Sequence, residues 1–344
     1  MPPPTIPRIL FIRNSRDSFI KMDMKSLRMR YRLTDCRLHS RWINPIAIWR
    51  QVSKHDVVCG WFASWHVFLP LLFARLQGRP SLLIIGGYDL ANMPDIGYGH
   101  QRGGLKKWVS RWNMKLASSR FTNSQYSRDE AQRNAGISDV AVIYHGVPDP
   151  FGALPDGPRA RIALTVGNVD RANLWRKGHE PFVRAAALCP DVHFVLVGKW
   201  RDDAIHYLRS IATSNVTFTG RLDDAALQYC YRRASVYVQA SAHEGFGLAV
   251  AEAMLAGCIP VVTRAGALPE VVGEAGVYAS RQAPAAIAQA VQHAFTLPET
   301  ARLQARQRVL EVFPMAKRNG EIERLIEELL ARHSQPVSAA LLSR

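Results

Sequence analysis

A chain of 344 residues is long for one domain, and two domains of roughly 150–190 residues each are the natural expectation. Its hydrophobic fraction of 48% is that of an ordinary globular protein with ample core. Five scattered cysteines (Cys36, Cys59, Cys189, Cys230, Cys258) include no Cys-x-x-Cys pair, which argues against a disulfide framework or a zinc site and for a reducing compartment.

The net charge of +16 is unevenly spread, with 22 Lys and Arg against 10 Asp and Glu up to Pro150, and 22 against 18 beyond it. The excess lies chiefly in Arg8 to Arg50 and Arg102 to Arg133. Such a face suits anionic lipid headgroups, nucleic acid or a polyanionic substrate, or is simply a solvated Arg-rich surface. The opening Met-Pro-Pro-Pro-Thr-Ile-Pro-Arg8 is no signal peptide, and the longest apolar runs, such as Val67 to Ala74, fall far short of the ~20 residues that span a bilayer. A soluble, cytoplasmic protein is expected, with peripheral contact to the membrane face left open by the charge.

In chain order, Arg8 to Asn14 reads as a strand, followed by helices near Phe19 to Tyr31 and Pro45 to Val52. A strand Asp56 to Phe62, a helix His66 to Leu76 and a strand Ser81 to Gly87 follow. Gly104 to Ser118 predicts a basic amphipathic helix, with Lys106, Lys107, Arg111 and Lys115 on one side and Leu105, Trp108, Trp112 and Leu116 on the other. That apolar stripe is expected to face the core, with a membrane wedge as the alternative. Short strands at Arg120 to Ser124 and Ala141 to Gly146 flank a helix with Ser127 as its expected N-cap. Asp149 to Pro158, with three prolines and two glycines, predicts a linker. Beyond it strands recur at Ala163 to Gly167, His193 to Gly198, Val216 to Gly220, Val236 to Ser241, Cys258 to Thr263 and Gly276 to Ala279, with Asp223 or Asp224 capping one of the helices between. Such alternation implies a parallel sheet covered on both faces, so both halves read as doubly wound α/β domains. A last helix spans Glu321 to Arg332, with a polar tail after His333.

The stretch Ser241 to Gly257 carries the chemistry. Glu244 lies in a glycine-bracketed loop after a strand, and Glu252 sits in the following helix, Leu248 to Ala256, as the only ionisable side chain between Gly245 and Thr263. Apolar neighbours on every side predict that Glu252 is buried all round and supplied with dedicated hydrogen-bond donors, a setting fit for the two hydroxyls of a ribose. Gly245 and Gly247 let the backbone approach a ligand, and the helix N-terminus offers N–H groups to a phosphate. The alternative is a solvated Glu244 and a Glu252 salt-bridged to a neighbouring helix. In open α/β sheets ligands sit beyond the carboxyl ends of the strands. There stand the cations Arg171, Arg176, Lys177, Lys199 and Arg221, of which Lys177 immediately precedes a helix-opening glycine, Gly178.

Glu244-x7-Glu252, within His243-Glu-Gly-Phe-Gly-Leu-Ala-Val-Ala-Glu-Ala-Met-Leu-Ala-Gly-Cys-Ile-Pro-Val-Val262, resembles the signature of the family-4 retaining glycosyltransferases of the GT-B fold. Arg176-Lys177-Gly178, Gly266-Ala-Leu-Pro-Glu-Val-Val272 and His145-Gly146-Val147 match in order. The likeness is specific over about Ala160 to Tyr278; in the N-terminal half it rests on strand order and Thr122 to Ser127. It implies two Rossmann-like domains facing each other across a cleft: an acceptor-side domain over 1–150, a nucleotide-sugar domain over 151–310, and a C-terminal helix over 311–344 packing back across the junction. It also implies transfer of a hexose or related sugar, with retention, from a nucleotide-diphosphate sugar to a hydroxyl acceptor, in cell-envelope polysaccharide or glycolipid synthesis. The donor is a co-substrate, and no cofactor or metal is implied.

Carried over residue by residue, Glu244 contacts the donor sugar, the backbone of Gly245, Phe246, Gly247 and Leu248 lies near sugar and phosphate, Glu252 holds the ribose and Lys177 neutralises the diphosphate. His243 and the cations named above complete the donor side, and Glu244, Lys177 and Asp89 are the candidate catalytic residues. Ser18, Tyr88 and Asp89 are the acceptor-side candidates. Two departures are visible. Asn168 stands where members carry Arg, and Gly86-Gly-Tyr88-Asp89 replaces a His-Asp pair, with Asn14 to Ser18 in place of a Gly-Gly loop. The rival readings are a sugar-nucleotide epimerase on the same fold and a basic nucleic-acid binder. The latter leaves both glutamates without a task and lacks a binding motif interleaved with the charge, so no nucleic-acid partner is expected. The expected partners are a nucleotide sugar, a sugar or lipid-linked acceptor, and anionic membrane.

Overall fold

Side-chain alternation along the strands decides the layers. In β1 (Arg8–Arg13), Ile9 and Phe11 point to one face of a sheet while Leu10 and Ile12 point to the other, and all four are fully buried. A strand apolar on both faces must be covered on both, and helices do so. The computed structural model describes residues 6–39, 44–154, 157, 159–280 and 283–334. The polar tail expected from residue 335 onward lies outside them.

The chain forms two compact units, one running to His145 and resumed from Ala316, the other spanning Gly146–Met315. In the first, β1 is followed by β2 (Arg32–Arg37), β3 (Val57–Trp61), β4 (Ser81–Ile85), β5 (Ser119–Thr122) and β6 (Ala141–Val142), all parallel in the order β2-β1-β3-β4-β5-β6. Helix α1 (Ser18–Arg30) packs Ile20, Met24 and Leu27 on the Ile9–Phe11 face. Helices α2 (Pro45–Ser53), α3 (Trp65–Leu76) and, beyond a short α4 (Gly87–Leu90), α5 (Gly104–Leu116) lie on the Leu10–Ile12 face. Helix α6 (Gln125–Glu130) is capped by Ser124, whose Oγ accepts from Ser127 N at 3.1 Å; the expected cap, Ser127, lies one turn inside.

The second unit holds β7 (Ala160–Val166), β8 (His193–Val197), β9 (Val216–Gly220), β10 (Ala234–Gln239), β11 (Ile259–Val262) and β12 (Val277–Tyr278), parallel in the order β12-β11-β10-β7-β8-β9. Its helices are α7 (Arg171–Arg176), α8 (His179–Ala186), α9 (Ala204–Ile211), α10 (Asp224–Arg233), α11 (Leu248–Leu255), α12 (Leu268–Val272), α13 (Pro284–Thr296) and α14 (Glu299–Val312). Asp223 caps α10 through Ala226 N at 2.8 Å. The predicted linker is tied down: Phe151 is buried edge-on to Tyr231, and Asp149 is ion-paired with Arg306. This unit accordingly begins before Asp149 rather than at 151.

Helix α15 (Met315–Ser334) returns the chain to the first unit, where Ile322, Ile326 and Leu329 join the α1 face of the core. Arg318 on it is 3% exposed and donates to Asp23 at 2.7 and 2.8 Å and to the carbonyls of Ile143 and Tyr144. Asp23 also accepts from the indole of Trp61, so this buried charge pair is fully supplied with partners.

Candidate active site

The strand order places a topological switch beside β7: the chain runs β7 to β8 to β9 one way, then crosses to β10 on β7's other side. Ligands of such sheets sit outside the carboxyl ends at that switch. The loop after β7 reaches Lys177 and the loop after β10 reaches Glu244, and there the two side chains form an ion pair, only 18% and 10% exposed. The loops are also joined through the backbone, Ala242 N donating to Arg176 O at 2.7 Å.

Close approach explains the glycine between Lys177 and helix α8. Gly178 has φ +72°, and a Cβ there would stand 2.2 Å from Ala240 O. Gly266, after β11, similarly presses on the Glu244 backbone, where its Cβ would meet Glu244 O at 2.2 Å.

Burial pushes the Glu244 carboxyl upward, but the charges of Lys177 and Arg176 outweigh it and hold the group below its usual range. Ser241 Oγ and Gln239 Nε2 also reach its Oε1, at 3.3 and 3.4 Å, and Gln239 is itself aligned by the Tyr237 hydroxyl at 2.9 Å. Burial lowers the Lys177 ammonium from its ordinary value, with Glu244 opposing.

Glu252 differs from expectation. It is half-buried, not enclosed, because α11 leaves Leu248, Ala249 and Glu252 partly open while Val250, Ala251, Ala253, Met254 and Leu255 are buried. Its hydrogen bond comes from the Tyr231 hydroxyl at 3.1 Å, from α10. Burial raises its pKa to about 7 against the pull of that bond, with Asp224 adding to the rise. Gly247, at φ +106°, caps α11 with no side chain, so the positive end of that helix is left to a ligand.

Other expected donor residues divide. Arg176 is half-buried and held by Asn173 Oδ1 at 2.6 and 3.0 Å, beside the ion pair. His243 and Phe246 are buried, Phe246 edge-on to Phe313, so the Phe246 ring belongs to the packing. Lys199 and Arg221 are exposed after β8 and β9. Arg171 is drawn elsewhere, its guanidinium on Asp203 at 2.5 and 2.9 Å and its N–H on Asp202. Asn168, with its amide oxygen turned to Arg201, accepts from that guanidinium at 3.1 and 3.2 Å. Arg201 thus brings a cation to the position where the sequence lacks one. Neither it nor Tyr231 was singled out by the sequence, because each is joined to the site only through strand order. His179 is buried, its pKa lowered by that burial to about 3, and its Nε2 donates to Asn168 O at 3.1 Å.

On the acceptor side Asp89 takes the position of a capping residue after a strand. It is 1% exposed, and its Oδ2 accepts from Gly86 N and Ala63 N, both at 2.9 Å, so it staples the ends of β3 and β4. Tyr88 packs on Tyr98 and His100, and Ser18 is exposed at the first position of α1. Among the described residues no three His, Cys, Asp or Glu side chains converge as a metal site.

The sequence model of the family "Glycosyl transferases group 1" matches residues 160–296. The chain is 39% identical over 82 residues to O-antigen chain mannosyltransferase B of Escherichia coli, covering 23% of this chain and 22% of that protein. It is 25% identical over 294 residues to glycogen synthase of Mycobacterium tuberculosis, covering 76% and 70%. Among solved structures, HepE of Anabaena in complex with UDP-glucose superposes with a TM-score of 0.76 at 17% identity, over 94% of this chain and 100% of that one. The segment that holds Lys177, Glu244 and Glu252 is therefore similar to the glycosyltransferase group 1 family, in a chain whose two-sheet architecture is the GT-B fold.

Proposed function

We propose that this protein is a family-4-like glycosyltransferase that moves a sugar from a nucleotide-diphosphate sugar to a hydroxyl of a sugar or lipid-linked acceptor with retention of configuration, without a resident cofactor or metal. The observation that carries the reading is the Lys177–Glu244 ion pair at the β7–β10 switch, beside the uncapped start of α11 and the half-open Glu252. A donor would divide that pair between its own groups. Its diphosphate would take the Lys177 ammonium and the α11 N-terminus, while its sugar hydroxyls would donate to Glu244 and its ribose hydroxyls to Glu252. As the bond between anomeric carbon and phosphate oxygen breaks, charge grows on the departing diphosphate, which Lys177 and Arg201 would stabilise. A UDP-sugar is the first donor to try, since the structural neighbour HepE was solved with UDP-glucose.

A thermal-shift panel of UDP, GDP, ADP and TDP sugars and a short DNA duplex tests the reading. A ligand at ~100 times its Kd adds roughly 2.7 kcal/mol, a shift of a few degrees. One nucleotide sugar should stabilise the protein, and Glu252→Ala should abolish the shift. Proton NMR of the product should show the donor's anomeric configuration on a new acceptor. Stabilisation by DNA alone, an isomerised donor, or an inverted product refutes the corresponding part.

A further inference from the structure

Of the apolar stripe expected on α5, Leu116 is buried in the core and the other three residues are not. Leu105, Trp108 and Trp112 are 63%, 49% and 44% exposed, while the buried side is formed by Val109, Ser110, Asn113, Met114 and Leu116. Ser110 and Asn113 can be buried because they are bonded, Asn113 to the carbonyl of Ser64 at 2.8 Å and Ser110 within a set joining Gln101 and the Asp89 carbonyl. Helix α5 is therefore apolar on two sides, and only one of them is used by the fold.

The unused side continues across the neighbouring helices. Trp108 contacts Trp112 at 5.6 Å between ring centroids and Phe68 of α3 at 6.1 Å; farther along, Phe73 of α3 meets Trp49 of α2 at 5.2 Å. Ile46 and Leu76 are each about two-thirds exposed on the same two helices. Isolated exposed apolar side chains are normal, but exposed aromatic and aliphatic side chains recurring over three adjacent helices are not.

Charge selects the occupant. Helices α2, α3 and α5 carry six Lys and Arg (Arg50, Arg75, Lys106, Lys107, Arg111, Lys115) and not one Asp or Glu. Protein interfaces are depleted in Lys at their centres, whereas tryptophan with flanking lysine is what settles at a bilayer's headgroup boundary. Two signals, a shallow apolar insertion and a basic surround, are what reversible attachment to anionic lipid requires. Among the described residues no helix is long and apolar enough to cross the membrane, so the contact is peripheral.

We propose that the α2–α3–α5 face docks this protein on an anionic lipid bilayer, with Trp108 and Trp112 inserted at the headgroup level and Lys106, Lys107 and Lys115 on the lipid phosphates. This stands apart from the donor-site reading, which uses the other unit. Full-length protein is co-sedimented with phosphatidylcholine vesicles, with and without phosphatidylglycerol. Binding is expected only with phosphatidylglycerol, and it should fall steeply as salt is raised about tenfold. Trp108→Ser with Trp112→Ser should lower partitioning at least about tenfold. Lys106→Glu with Lys107→Glu should do the same, given roughly fivefold per cation near such a surface. The exposed control pair Leu188→Ser with Leu303→Ser, in the other unit, should bind as wild type. Donor-nucleotide thermal shifts, run on every variant, should be unchanged. Indifference to anionic vesicles overturns the proposal, as does undiminished binding by either α5 variant. So does an oligomer without lipid affinity that the tryptophan variant dissociates, which would make the face an interface between copies.

Discussion

If Glu252 grips a ribose, donor affinity must follow its charge. Burial with a single hydroxyl partner raises its pKa to about 7, inside the range of an ordinary binding experiment. Ribose hydroxyls donate best to the carboxylate, so the apparent affinity scales with the ionised fraction. That fraction is about one half at pH 7 and about one tenth at pH 6, so affinity should fall roughly tenfold between pH 8 and pH 6. Glu252→Gln keeps the shape and an oxygen for Tyr231 but removes the charge. Hydrogen bonds to a charged group contribute about 1.5–3 kcal/mol, so the variant should bind roughly 10- to 100-fold more weakly at pH 8 and with no slope. Isothermal titration with an intact nucleotide sugar is the right assay, because both its phosphates are esterified and do not titrate in this range. A flat wild-type profile, or a slope that survives in Glu252→Gln, refutes the assignment.

The same group makes a stability prediction of definite sign. Its folded pKa lies above the reference value of 4.5, so the folded state holds the proton more tightly than the unfolded chain. Stability from this residue is present below pH 4.5 and is lost as pH rises through 7, by at most about 3 kcal/mol for a half-buried side chain. Ligand-free Glu252→Gln should therefore melt higher than wild type at pH 8 and alike near pH 4.5. The variant that binds donor worst is thus the more stable one, an outcome a merely damaged fold cannot give.

Two further perturbations probe the switch itself. Lys177→Ala strands a buried carboxylate and should cost about 3–5 kcal/mol, and adding Glu244→Gln should restore much of it while transfer stays ~10²–10³-fold down; a fully stable Lys177→Ala measured by urea melts would mean the pair is not closed in solution. Gly178→Ala forces a Cβ against Ala240 O at φ +72° and should cost at least about 2 kcal/mol, so an unchanged urea midpoint would show that the two loops are not locked together.

What the sequence disclosed, and what it hid, follows from the range of the forces involved. Strands buried on both faces, such as β1, β3, β4, β10 and β11, announce themselves as apolar runs, and eleven of the twelve strands among the described residues were expected. β2, Arg-Leu-Thr-Asp-Cys-Arg, was not expected at all, because an edge strand that pairs only with β1 carries charges where a central one carries valine. The α5 stripe was visible as a period but not as a direction: hydrophobic spacing names two faces, and hydrogen bonds from Ser110 and Asn113 chose which one went down. Glu244 and Glu252 were legible because their chemistry sits in one short segment. Their pairings were not: Lys177, singled out on its own, is 67 positions from Glu244 and Tyr231 is 21 from Glu252, and only the strand order brings them together. Asp89 was ambiguous for the converse reason, since a carboxylate after a strand serves equally well as substrate contact or as staple.

Why the anionic donor should choose the second unit can be argued without any relative. Both sheets have a switch beside their first strand, β1 between β2 and β3 as β7 lies between β10 and β8. At the first switch the cation at the end of β1 is already engaged: Arg13 is spent on Asp35 and on the carbonyl of Ser15. Aromatic rings crowd the rest, with Phe62 at φ +68° (the one non-glycine residue of positive φ among those described) stacked near Trp61 and Phe19 and filling the space where a Cβ on Gly86 would go. At the second switch a lysine is paired with a carboxylate that a ligand's hydroxyls can replace. A helix there starts without a cap, and a second carboxylate keeps one hydrogen bond and an open side. A diphosphate with hydroxyls at both ends finds donors and acceptors in the second place and apolar walls in the first, and the aromatic crowding at the first suits a pyranose face better than a phosphate.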